Sequence, residues 1–379
     1  MSSPEIVVDL EKIASNVRAL KALYGARGIN IFAVTKAVCG DPNLANILVN
    51  NGLNFLADSR LENIKNILDA GVHAKFLLLR TLPSEVDAVV KYTEISLNSN
   101  LTVIQLLSKA AVKVNVVHKI ILMIEMGDLR EGVMPIDLND MVRKILRLPN
   151  IKLIGIGTNL ACFGGIKPNA RKMRTLSSLA VDLEKRFNII LSIVSGGNSA
   201  NYNWFTKSEV LGRINNLRLG ESIFLGRETL ERKPIPDLHT DAFALSVEVI
   251  DSGVKPSIPF GESGLDAFGN KPVFEDLGQI NRAILAIGKL DVQTDGLIPP
   301  ENMTILGASS DHLILNTHEK TLEVGDRVTF SLNYGALLSV MGSQTIIKNY
   351  VNTNEYRPIL QNGRGERPKA QNAFSNHRD

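Results

Sequence analysis

Apolar residues fall along this chain in short runs that recur at a near-regular interval. Runs of β character lie at 31–36, 54–58, 75–79, 94–97, 119–125, 151–157, 190–195 and 216–220. Between them stand stretches with helical spacing at 42–50, 60–70, 84–91, 101–112, 137–148, 168–187 and 200–210. Several of these open on turn or cap residues, such as Asp41-Pro42, Pro83-Ser84 and Lys167-Pro168. Strands that are apolar throughout belong to parallel sheets covered by helices. Eight such units predict a closed (β/α)8 barrel, an α/β fold. An open doubly wound sheet is the alternative, disfavoured because no Gly-x-Gly-x-x-Gly fingerprint follows the first run.

The flanks read differently. Ile6–Leu10 has strand character, and the run from Glu11 to Tyr24 is helical, with Ile13, Val17, Leu20 and Leu23 on its apolar side. Beyond Gly226 the stretch Arg227–Thr240 is charged, bears proline and has no clear period, as expected of a linker. From Ala242 short alternating runs punctuated by Gly, Pro and Asp predict a mostly-β domain. The expected organisation is an N-terminal strand (1–11) joining the β-domain, a barrel (12–227), a linker (228–241), a β-domain (242–351) and a polar tail (352–379).

Charge and composition narrow the function. Forty-two basic residues against 39 acidic ones give a net charge of +3 without a basic block, and aromatic residues are 5% of the chain. A nucleic-acid partner is therefore not expected. No apolar run approaches the ~20 residues that span a bilayer, and Met1–Glu5 holds no basic segment leading into an apolar one. The expectation is a cytoplasmic protein with no membrane contact. Two cysteines, Cys39 and Cys162, are too few for a disulfide framework or a Cys-rich zinc site, and no metal is expected.

Candidate chemistry clusters where the barrel rule puts it, at the C-terminal ends of strands. The first run ends on Lys36, followed by the break Gly40-Asp41-Pro42. A lysine there either reaches solvent or offers an amine for Schiff-base chemistry. The seventh run is followed by Ser195-Gly-Gly-Asn-Ser199-Ala200, a glycine-rich loop opening a helix, which suits an anion. The eighth is followed by Leu217-Arg218-Leu219-Gly220-Glu221. Arg130 and Gly157-Thr158-Asn159 close the fifth and sixth. Taken singly, each has a plain reading as a turn or surface residue; together they define a candidate site for a phosphorylated cofactor opposite Lys36.

Val34-Thr-Lys36-Ala, Arg130 before Gly132, Gly157-Thr-Asn159, Ser195–Ala200 and Arg218-x-Gly220 together resemble the pyridoxal-phosphate enzymes of the alanine-racemase fold type. The segments 35–42, 155–162, 261–269 and 307–312 are most similar to its ornithine-racemase-like branch. The resemblance spans about residues 5–350. It implies a barrel followed by a β-domain, and a homodimer whose sites borrow residues from the partner's β-domain.

Carried over position by position, the resemblance implies that Lys36 anchors pyridoxal 5'-phosphate covalently and moves a proton on one face. Ser199, Gly220, Glu221 and the hydroxyl of Tyr334 would hold the phosphate, and Arg130 would lie near the phenolic oxygen. Arg218 would face the pyridine nitrogen; a guanidinium stays protonated, so it donates to that nitrogen without protonating it. That favours reversible Cα deprotonation over decarboxylation. Ser310 and Asp311 match a position near the substrate carboxylate.

Two departures stand out. Typical alanine racemases stack a histidine on the cofactor where this chain has Asn159. They also supply a tyrosine from the partner as second base, and here Phe268 stands at that place, with no tyrosine between Tyr202 and Tyr334. Asp266 is the first candidate to replace it and His312 the second. The substrate implied is a free amino acid, ornithine or another cationic one, with Glu262, Asp266 and Asp291 as possible counter-charges. The alternatives are a non-catalytic pyridoxal-phosphate carrier, or a decarboxylase or aldolase on the same fold.

Overall fold

The computed structural model describes residues 4–271 and 273–352. The expected polar tail lies, from residue 353 onward, outside the described residues. The chain opens with strand β1 (Glu5–Asp9). The barrel strands are β2 (Asn30–Val34), β3 (Phe55–Asp58), β4 (Lys75–Leu78), β5 (Ile95–Asn98), β6 (His118–Met123), β7 (Ile151–Gly157), β8 (Ile193–Ser195) and β9 (Asn216–Leu219). They are parallel, and β2 pairs with β9 to close the ring. This is the (β/α)8 barrel expected from the eight runs.

Strand alternation divides the core in two. Phe32, Val34, Ala57, Leu77, Ile95, Leu97, Ile121, Met123 and Ile154 point inward and pack with one another, Phe32 stacking on Phe55 with centroids 4.4 Å apart. Ile31, Ala33, Leu217, Leu219 and their like point outward to meet the helices. On β9 the inward positions are Asn216 and Arg218, so a guanidinium enters the barrel mouth where a core residue would otherwise sit.

The first helix, Leu10–Gly25, is capped by the Asp9 carboxylate, which accepts from the amides of Glu11 and Lys12 at 3.1 Å. Its buried stripe ends on Tyr24 rather than Leu23, which is 37% exposed. The tyrosine completes the i+4 row from Leu20 and sets its ring against Phe205, centroids 4.4 Å apart.

Strand β2 stops at Val34. Residues Thr35–Val38 form a 3-10 turn closed by Cys39 at φ 53° and Gly40 at φ 65°. Lys36 therefore sits on a turn above the strand rather than at its end, because the chain must reverse into the helix Pro42–Asn50. The expected 200–210 helix is also shorter: a 3-10 turn at Ser199–Asn201 leads into a helix over Tyr202–Lys207.

The second sheet runs in the order β12 (Leu297–Ile298), β15 (Arg327–Leu332), β10 (Phe243–Pro256), β11 (Gln279–Leu285), β14 (Leu313–Asn316), β13 (Thr304–Ala308). Strand β1 pairs antiparallel with β10 and parallel with β16 (Ile347–Val351), so the start of the chain is part of this sheet. One helix, Tyr334–Gly342, interrupts the β-domain and packs on the Lys36 turn. Cys39 Sγ donates to Leu338 O at 3.8 Å, and Tyr350 donates its hydroxyl to Asp41 Oδ2.

Candidate active site

A cavity of about 550 Å³ opens at the C-terminal mouth of the barrel. Lys36, Arg130, Asn159, Ser199, Arg218, Gly220, Glu221 and Tyr334 all line it. Tyr334 comes from the β-domain, as the first residue of the helix capped by Asn333, whose side chain accepts from Ala336 N at 3.0 Å.

Arg218 is buried at the centre. It donates to Ser195 Oγ, to Thr158 O at 2.8 Å and to Asn159 Oδ1 at 3.5 Å. Ser195 Oγ donates in turn to Asn216 Oδ1, and Asn216 donates to Asn30 O at 3.1 Å, so the guanidinium hangs on a chain of bonds inside the barrel. Burial pushes its pKa down to about 10, which leaves it charged at neutral pH. It makes no ion pair among the described residues.

The loop after β8 is shaped by Asn198, which accepts from Ala200 N at 2.8 Å and donates to Leu160 O at 2.9 Å and to Asn159 Oδ1 at 3.1 Å. Ser199 Oγ meets Ser222 Oγ at 3.0 Å and accepts from Ser222 N at 3.2 Å. Gly220 and Glu221 begin the helix Glu221–Leu225, so their amides are among those a helix leaves without internal partners. A Cβ on Gly220 would stand 3.1 Å from Val34 O, crowding the join of the first and last barrel strands.

Further residues line the cavity that the sequence did not single out: Ser59, Arg80, Glu131, Asn198, Thr229 and Arg232 among them. Ser59 and Arg80 follow β3 and β4, and the strand-end rule applied evenly would have found them. Arg232 comes from the charged stretch read as a linker, and it pairs with the Glu221 carboxylate. Burial raises the pKa of that carboxylate, opposed by Arg232. Glu131 pairs with Arg130.

The β-domain candidates lie elsewhere. Asp266, Ser310, Asp311 and His312 are in loops that do not line this cavity within one chain. Asp266 accepts from the amides of Asn270 at 2.7 Å and Phe268 at 2.9 Å, which lower its pKa and commit it to closing its own turn. The Ser309–His312 turn docks on Gly288, whose Cβ would stand 2.1 Å from Ser310 O. His312 Nδ1 lies 3.4 Å from Ser309 Oγ, and no bond to its Nε2 occurs among the described residues. Asp291 is occupied by Gly288 N and Thr345 Oγ1 at 3.1 and 2.7 Å, and Glu262 is exposed.

A model of the alanine racemase N-terminal domain matches residues 8–228. The chain belongs to the alanine racemase family. It is 41% identical over 350 residues to an ornithine racemase of Acetoanaerobium sticklandii, covering 91% of this chain and 99% of that protein. It is 37% identical over 353 residues to a lysine racemase of Thermotoga maritima, covering 92% and 99%. Among solved structures, the alanine racemase of Streptomyces coelicolor A3(2) superposes with a TM-score of 0.73 over 92% of this chain and 98% of that one, at 16% identity. The racemase described here is thus an isomerase dependent on pyridoxal 5'-phosphate.

Its cavity fits that cofactor. Five cationic side chains, Lys36, Arg80, Arg130, Arg218 and Arg232, face two carboxylates, Glu131 and Glu221, leaving positive charge for a phosphate and a substrate carboxylate. Asn159, which lines the cavity, has its Nδ2 buried without a partner, a donor that a bound polar ring would satisfy. Lys36 lines the same cavity, and its Nζ has no hydrogen bond or ion pair among the described residues.

Proposed function

We propose that this racemase inverts a cationic amino acid, ornithine or lysine, in a site completed by a second copy of the chain. The observation carrying the substrate is that both curated relatives, named for ornithine and lysine, align along more than nine-tenths of the chain. Ser199 Oγ and the amides of Gly220 and Glu221 hold the phosphate, with Tyr334 closing that end. Arg130 holds the phenolic oxygen. Bound pyridoxal phosphate supplies an electron sink for the charge left at Cα when its proton departs.

Lys36 Nζ takes or returns the Cα proton on one face. Arg218 donates to the ring nitrogen and keeps its own proton, which limits how far the sink is filled and favours return of a proton over loss of a carboxyl group. The opposite face needs a second base, and the loops bearing Asp266 and His312 reach it from the partner. His312 suits the task better, because Asp266 is committed to its turn. Glu262 on the same partner loop meets the substrate's side-chain ammonium.

A chiral assay of purified holoenzyme on L- and D-ornithine, lysine and alanine tests this. Interconversion of both cationic pairs well above alanine is expected. Preference for alanine would overturn the substrate assignment.

A further inference from the structure

Asp58 has no part in the chemistry above, yet it is the fully buried carboxylate that ends β3. A buried carboxylate is costly unless bonded. Its oxygens are taken up: Thr35 Oγ1 donates to Oδ2 at 2.6 Å, and Oδ1 accepts from Arg60 N at 2.9 Å and Asn63 Nδ2 at 3.0 Å. Burial raises its pKa, with the bonds from Thr35, Arg60 and Asn63 opposing. Thr35 is the residue before Lys36 and is itself fully buried.

The other end of the lysine turn meets the same group. Gly40, at φ 65°, comes so near Asn63 that a Cβ would stand 2.5 Å from Asn63 Cβ. Asn63 is thus pinned between Asp58 and the close of the turn. One carboxylate holds residue 35 directly and residue 40 through Asn63, and Lys36 lies between them. An apolar pair would fill the space without the desolvation cost. What the carboxylate adds is direction: two bonds that fix where the turn stands on β3. Since Lys36 Nζ has no side-chain partner of its own, its aim comes from that turn.

We infer that Asp58, acting through Thr35 and Asn63, is a positioning residue that holds the Lys36 turn so that Nζ meets the cofactor aldehyde and the substrate Cα proton. This rests on Lys36 as the covalent anchor. The bond concerned is the imine between Nζ and the aldehyde carbon, formed with loss of water.

Thr35→Val keeps shape and removes the hydroxyl, and Thr35→Ser keeps the hydroxyl. Cofactor-stripped protein is given pyridoxal phosphate and the visible band of the lysine adduct is followed in time. Pyridoxamine 5'-phosphate, which has no aldehyde, reads the cavity alone. Thr35→Val is expected to link roughly tenfold or more slowly and to lose kcat by a similar factor, with misaim rather than lost binding as the cause. Its affinity for pyridoxamine phosphate and its KM are expected within about threefold of the parent, and Thr35→Ser close to the parent throughout. Asp58→Ala, which removes both oxygens and so the bonds to Thr35 and Asn63, is expected to show the same split and serves if Thr35→Val does not fold.

Linkage at the parental rate in Thr35→Val would overturn the inference, as would linkage and pyridoxamine phosphate binding weakening together. A parent protein that forms no adduct at Lys36 would overturn the anchor assignment and this inference with it.

Discussion

Arg218 is set apart by where it sits and by the partners it has there. A guanidinium inside a barrel loses hydration, but with its pKa lowered only to about 10 it stays charged at neutral pH, donating to Ser195, Thr158 and Asn159. No carboxylate among the described residues forms an ion pair with it, and it lines the cavity. A lysine at 218 would reach the same space with a point charge and could not keep both the barrel bonds and one to the ring. Arg218→Lys is expected to lower kcat by roughly ten- to a hundredfold, the worth of a hydrogen bond to a charged group. The Lys36 absorbance band is expected to persist, so steady-state kinetics and a spectrum on one sample check it. A kcat within about twofold of the parent would remove Arg218 from the chemistry. This residue was legible in the sequence because it ends a strand. Arg232 was not, since nothing in an aperiodic charged stretch says that it folds back over Glu221.

At the level of elements, the barrel wall carries a titratable seam. His118 opens β6 and Ser96 lies on β5, with Nε2 and Oγ 2.8 Å apart. Burial pushes the histidine down to about 4, so it is neutral when folded. The unfolded chain takes up the proton near the ordinary histidine value, so stability is full above that value and falls as pH drops towards 4. The loss is on the order of 3 kcal/mol. Melting midpoints from pH 7 to 4 are expected to fall more steeply in the parent than in His118→Gln; parallel curves would show that another group carries the acid limb. Helices and strands of the barrel were readable from their period, because two-faced burial makes most of β2 to β8 mainly apolar, while β9 alternates Asn216 and Arg218 with leucines. The helix Tyr334–Gly342 escaped, as its sequence is apolar nearly all round and shows no stripe. The 3-10 turn under Lys36 escaped too, since Thr35-Lys-Ala-Val continues the apolar run of β2 and only the reversal into the next helix bends it.

For the whole molecule, the cavity lies where barrel and β-domain meet, and the proposed second base lies in neither wall. If the loops of a partner complete the site, two defective chains can repair one another. Copies carrying Lys36→Ala, inactive alone, are expected to regain activity when co-refolded with copies carrying both Asp266→Asn and His312→Asn. One hybrid site then has an intact lysine and intact loops. A mixture as inactive as its components would place the whole site within one chain. The placing of β1 reaches further, into how the molecule is made. Glu5–Asp9 is synthesised before the other strands described, yet it slots between β10 and β16, the last of which ends at Val351. The barrel can close while synthesis continues, but Ile6 and Val8 have no strand to join until β10 is out, and their second partner, β16, follows only after the rest of that sheet. The earliest of these strands is therefore held on both edges only when the latest of them arrives, and the two ends of the described chain are joined in one seam.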